Sequence, residues 1–209
     1  MVHLHAWEHG ETSERATKDA DIVLDVRAYA SSLREVTSAL VSDGYKLDGV
    51  SAEGVGTRYR HTVVIEASLD VLVAEGLDAT KYKNTDNVRS IAASGSVQAL
   101  ERSMRRQVTL GDRAGSVIRP DLYAALVAKA AAAAAETDAK GARHLQDFAT
   151  LTSLYARHHP IGELAERLTP NDRKRLRYAL TKLPTDSLFW ANVESGPDAR
   201  ETLRRVIDG

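Results

Sequence analysis

Residues 17–26, TKDADIVLDV, set two acids directly before an apolar run. In an extended chain side chains alternate between faces, so Asp19, Asp21 and Asp25 project to one side while Ile22, Leu24 and Val26 project to the other. One side suits a core, and the other carries three carboxylates. Like charges that close cost energy unless a cation sits between them. The plainer reading is a charged turn leading into a half-buried strand. Either way, the segment predicts a sheet strand with one polar face.

A second strand is predicted further on. From Val63 to Ala74 the sequence VVIEASLDVLVA is rich in β-branched residues, with a turn or bulge at Glu66, Ala67 and Ser68. Asp70 sits inside it among Leu69, Val71, Leu72 and Val73. An acid in so apolar a strand is expensive to bury unless it is paired or ligates a metal, which makes Asp70 the natural third partner of Asp19 and Asp21. Before it, residues 31–42 (SSLREVTSALVS) carry Leu33, Val36 and Leu40 at helical spacing, and TRYR at 57–60 reads as extended.

At 209 residues, 43% hydrophobic and 27% charged, the chain has enough apolar surface for a real core. With a formal net charge of −1, any nucleic-acid partner must be held by a local basic patch. The absence of cysteine excludes disulfides and thiolate chemistry, and leaves carboxylate, histidine or water for any metal. No apolar run approaches the roughly 20 residues that span a bilayer, so no membrane role and a cytoplasmic location are expected.

The second half is helical. Residues 120–140, PDLYAALVAKAAAAAAETDAK, form an alanine-rich helix with Pro120 suited to its first turn and Asp121 to the positive end of its dipole. After a break near Gly141, a second helix is predicted over 142–158, followed by shorter ones near 161–168, 171–183 and 198–207. Lys129 follows Ala125 by four and Leu122 by seven, and Asp147 precedes Leu151 by four and Leu154 by seven. Both lie on inward stripes. A structural Lys129–Asp147 pair, or a local Arg143–Asp147 pair, accounts for that placement.

Other clusters have plainer readings. His5 and His9 are four apart with His3 nearby, a conceivable zinc spacing without the usual framework of further ligands. The basic runs at 102–106 (RSMRR) and 173–177 (RKRLR) are able to track an RNA backbone, but such runs are more often solvated helix faces.

Four segments occur in order: RATKDADIVLDV (15–26), SLDVLVA (68–74), LVAKAAA (126–132) and RHLQDFATL (143–151). Together they resemble the AbiEii-like nucleotidyltransferases, the group that includes the MenT toxins of toxin–antitoxin systems. The resemblance covers about residues 1 to 160. A bare D-x-D is weak, and the order of all four segments is much more specific. It implies an α/β (α+β) fold with a nucleotidyltransferase-type mixed sheet core in residues 1–112 and a helical lobe in 113–209. The implied reaction is transfer of a nucleotide from a nucleoside triphosphate to an RNA acceptor, a tRNA 3′ end, with a cognate antitoxin as partner. Asp19, Asp21 and Asp70 would hold Mg²⁺, Lys129 would touch the triphosphate, Asp147 would orient it, and Arg15 would contact phosphate. Asp25 has no assigned role.

The chain also departs from that pattern. Such enzymes open with a strand and a Gly-Gly or Gly-Ser turn whose N–H groups meet the triphosphate. Here MVHLHAWEHG reads as the helix after that turn, and the expectation is that the first strand and its turn are missing. His144 stands where the family usually has an acid. The alternatives are transfer to a small molecule such as an antibiotic, and a non-catalytic relic that binds a nucleotide or a partner.

Overall fold

β-branched and aromatic residues at every second position shape the sheet in the computed structural model, which describes residues 1–12, 19–61, 67–78, 81–135 and 139–209, apart from the side chains of 110, 139, 140 and 161. The fold is mixed α and β. In chain order the first elements are helix α1 (Val2–Glu8), strand β1 (Asp19–Leu24), helix α2 (Ser32–Ser42), strands β2 (Tyr45–Leu47), β3 (Arg58–His61), β4 (Ser68–Ala74) and β5 (Ala92–Ala93), and helix α3 (Ser96–Glu101). A hairpin follows, β6 (Ser103–Leu110) and β7 (Arg113–Pro120), then helices α4 (Leu122–Ala135), α5 (Ala139–His158), α6 (Ile161–Arg167), α7 (Pro170–Lys182), α8 (Leu188–Ala191) and α9 (Gly196–Asp208). The chain divides into two compact units, Arg15–Leu100 and Met1–Glu14 with Glu101–Gly209.

In the unit 15–100 the strand order is β1-β4-β3-β2, with β5 beside β4. β1 runs parallel to β4, and β3 runs antiparallel to both β4 and β2. The pleat sends Val71 and Val73 of β4 and Tyr59 of β3 into a core with Val26 and Leu33, against which Leu24, Val36 and Leu40 pack. Burying each large aliphatic side chain there stabilises the unit by about 1.5–3 kcal/mol. Residues of opposite parity on the same strands therefore share the other face.

In the helical unit the alanines serve packing. Every residue from Leu122 to Val127 is buried, as are Ala130, Ala131 and Ala133, and small side chains let α4 lie close against α5. Phe148, Leu151 and Leu154 of α5 join Leu126, Leu176, Leu203 and Trp190 in one core, to which α1 adds Val2 and Ala6. Trp190 meets Phe148 edge to face at 6.3 Å. Thr169 and Asp172 cap α7 reciprocally, each side chain bonding the other's backbone N–H.

Several expectations need correction. A boundary at 112–113 falls in the turn of the β6–β7 hairpin, whose strands pair from Ser103 opposite Pro120 to Leu110 opposite Arg113; the units meet instead near residues 14–15 and 100–101. Gly141 does not break a helix, because α5 already begins at Ala139. Pro120 ends β7, and Asp121 caps α4 by accepting from the N–H of Ala124 at 2.7 Å. The 102–106 run enters β6 and is not a helix face. Arg173 and Arg177 of the other run donate to carbonyls at the end of α9, where a cation offsets the dipole.

Candidate carboxylate face and the helical ion pairs

Register decides which of the predicted residues meet. Asp19 stands opposite Ser68 and Asp21 opposite Asp70 in the parallel β1–β4 pair, and Arg60 and Arg58 stand opposite the same two residues from β3. Partners in register point to one face, so two rows form across three strands: Asp21, Asp70, Arg58 and Asp19, Ser68, Arg60. The three predicted acids thus share one face of one sheet. Asp25 leaves it, since β1 ends at Leu24 and Asp25 closes a turn by accepting from the backbone and guanidinium of Arg27.

The charges on this face are unequally satisfied. Arg58 grips Asp70 with a fork, Nε to Oδ1 at 3.2 Å and a terminal nitrogen to Oδ2 at 2.7 Å. Hydrogen bonding to Asp70, then its charge and those of Asp19 and Asp48, hold the Arg58 guanidinium above its ordinary pKa. Asp19 accepts from the Ser68 hydroxyl, and Arg60 pairs with Asp48 at 3.0 Å. Asp21 is exposed and makes no side-chain hydrogen bond or ion pair among the described residues. Arg58 is the residue the sequence reading missed; TRYR showed alternation, but only register reveals that both arginines face the acids.

The face carries three carboxylates, a donor chemistry that suits a hard dication such as Mg²⁺. Among the described residues no three His, Cys, Asp or Glu side chains already converge as a metal-holding group, because Asp70 is turned to Arg58. Asp19 and Asp21, both on β1, are the pair that fits an ion without parting Asp70 from Arg58. Arg15 lies outside the described residues.

Gly-Ser dipeptides occur elsewhere in the chain, inside β7 at Gly115 and Ser116 and at the start of α3, where Gly95 precedes the helix and Ser96 opens it. Gly95 takes a φ of +77°, a conformation that favours glycine. Its N–H donates to Glu75 at 2.8 Å, and Ser96 Oγ accepts from the Glu75 N–H at 2.8 Å. The turn is closed by a carboxylate of its own chain.

In the helical unit Lys129 Nζ lies 2.8 Å from Asp147 Oδ2, joining α4 to α5 as the stripe spacing predicted. Both side chains are largely buried, 16% and 11% exposed. A second network is deeper. The Tyr123 hydroxyl lies 2.5 Å from Asp172 Oδ2, and the guanidinium groups of Arg102 and Arg167 each stand 4.5 Å from the Tyr123 ring centre. Burial, then the bond to Asp172, pushes the Tyr123 hydroxyl pKa up.

The histidines do not converge as a zinc spacing. His5 is buried against Arg119, its ring nitrogens 2.6 and 2.9 Å from one guanidinium nitrogen, and Arg119 also bonds Glu8. Burial, then the Arg119 charge, lowers the His5 pKa to about 3. His9 turns instead to α5, where it stacks on His158 at 4.1 Å.

Compared with protein-family models, curated proteins and solved structures, the chain has no match. Among the described residues no helix is long and apolar enough to cross a membrane.

Proposed function

We propose that the chain is a Mg²⁺-dependent nucleotidyltransferase that moves a nucleotide from a nucleoside triphosphate to an RNA acceptor, a tRNA 3′ end, as the toxin of a toxin–antitoxin pair. The observation that carries this reading is the placement of Asp19, Asp21 and Asp70 on one face of adjacent parallel strands. The ordered segments supply the reaction and the acceptor.

In this reading Asp19 and Asp21 hold the ion, and Asp70 joins them by leaving Arg58. Bound Mg²⁺ supplies charge neutralisation for the triphosphate oxygens. The protein's own part is electrostatic: a released Arg58 offers a two-pronged donor to phosphate from the strand beside Asp70.

Incubation of the chain with each labelled nucleoside triphosphate, Mg²⁺ and total tRNA tests the proposal. Label is expected in tRNA with at least one nucleotide, and to be lost in Asp21→Asn. Absence of transfer with all four nucleotides removes the RNA-acceptor reading. A second reading, a non-catalytic nucleotide- or partner-binding module, is favoured by one pattern: Arg58 already neutralises Asp70, and Glu75 already occupies the Gly95 N–H.

A further inference from the structure

A cluster of titratable side chains lies in the helical unit, distinct from the carboxylate face. The His9 ring stacks on His158 with centres 4.1 Å apart and planes 9° from parallel. His159 meets His9 edge-on at 5.7 Å and stacks on Tyr155 at 4.9 Å. Next to the rings, Glu11 accepts from Arg157 at 2.7 Å and lies 2.8 Å from His158 Nε2, and Arg157 also reaches Glu194 at 2.9 Å. These contacts tie the end of α1 and the residues after it to the last turn of α5. We propose that His9, His158 and His159 form an acid-sensitive clasp, closed at neutral pH and opened as pH falls toward about 5, that governs whether α1 stays docked on α5.

The charges around the cluster decide what a proton on His9 meets. His158, the last residue of α5, and His159 just after it face His9, and burial holds the Tyr155 phenol neutral. Its own segment contributes Glu8 and Glu11, with His5 one turn back; Glu194 enters from the turn before α9. Glu8 is already engaged by Arg106 and Arg119. Glu11 is held below the ordinary carboxylate range, first by its hydrogen bond from Arg157, so it stays ionised through mild acid.

A proton on His9 in the closed stack would put its charge against the face of the His158 ring, 4.1 Å away, and edge-on to His159. Burial first, then His158 and His159, lower the pKa of His9. In the open state His9 takes its proton at the ordinary value. The open state therefore binds more protons, and acid favours it by roughly tenfold per pH unit for each proton withheld from the closed state.

α1 has seven residues, too few to be helical alone, so protection of its amides reports docking. Its reporters are the N–H groups of Leu4, His5, His9, Gly10 and Glu11, all bonded to backbone carbonyls. Hydrogen exchange on the full chain from pH 7.5 to 5, corrected for intrinsic rates, tests the clasp. Protection across 2–11 is expected to fall tenfold or more while that of 148–155 holds. In His9→Gln, and separately in His159→Gln, the fall is expected to shrink or vanish. Wild-type protection of 2–11 that is absent at pH 7.5, does not change with pH, or falls equally in both variants overturns the proposal.

Discussion

Two ion pairs of the same kind sit in different settings. Lys129–Asp147 is shut between α4 and α5, while Arg58–Asp70 lies on a sheet face with the arginine side chain 44% exposed and, opposite Asp70 on β1, a carboxylate, Asp21, that has no ion-pair partner among the described residues. The helical unit closes its buried acids: Asp172 meets Tyr123 and Thr169, and Asp147 meets Lys129. On the sheet face Asp21 stays open among the described residues. A closed pair sets a packing geometry, whereas an open carboxylate beside a guanidinium keeps the capacity to exchange partners.

The contrast breaks most visibly at Asp21. Asp21→Asn is expected to lower nucleotide transfer by on the order of a hundredfold or more, because it removes a ligand charge, and to leave the melting temperature within about a degree. Equal activity in that variant and wild type takes the open carboxylate out of the chemistry. At the closed end, Asp172→Ala is expected to cost about 3–5 kcal/mol in denaturant unfolding, since it strips a cap and leaves Tyr123 and Arg102 facing a void. A loss below about 1 kcal/mol would make that network decorative.

Lys129→Ala falls between the two. As a structural partner alone it costs about 1–3 kcal/mol by leaving Asp147 largely buried, and Asp147→Ala in the same chain recovers part of that. A double variant no more stable than Lys129→Ala would show that the Asp147 charge is not the source of the loss.

His5 supplies the pH term. Its folded-state pKa lies below its unfolded value, so its contribution is complete above about pH 6.5 and is lost as pH falls toward about 3, at up to roughly 1.4 kcal/mol per unit. His5→Gln is expected to flatten the stability profile over that window. Arg58→Met is expected to cost only about 1 kcal/mol or less, as the pair is half-exposed. Its informative readout is calorimetric Mn²⁺ binding, expected to tighten as Asp70 is freed; unchanged affinity would mean the pair does not restrain the acid.

Alternation and helical spacing made much of this legible. The 19–24 and 68–74 strands follow from a period of two, α2 and α5 from a period near 3.6, and the Lys129–Asp147 pair from stripes on two helices. What stayed hidden depends on long-range pairing. Arg58 meets Asp70 only because β3 is antiparallel to β4 in that register. The β6–β7 hairpin has arginine, serine and glycine where strands usually show apolar residues, so no local pattern marks it. Gly141 lies inside α5 although glycine usually disfavours a helix interior, so tertiary packing overrode propensity there. The Gly95–Ser96 turn went unseen because its closing partner, Glu75, is twenty residues away in the chain.

β1 ends the strand path of its sheet. A terminal strand offers backbone donors and acceptors to any extended chain that drifts alongside, and charged side chains are a common guard against such templated aggregation. Asp19 and Asp21 stand on that strand, so the same carboxylates proposed to hold an ion also keep copies of the protein from zipping together through mutual repulsion. Neutralising them to silence the chemistry removes the guard as well. Asn variants are expected to show concentration-dependent light scattering that the wild type lacks, and their activity is properly read from dilute, freshly prepared protein.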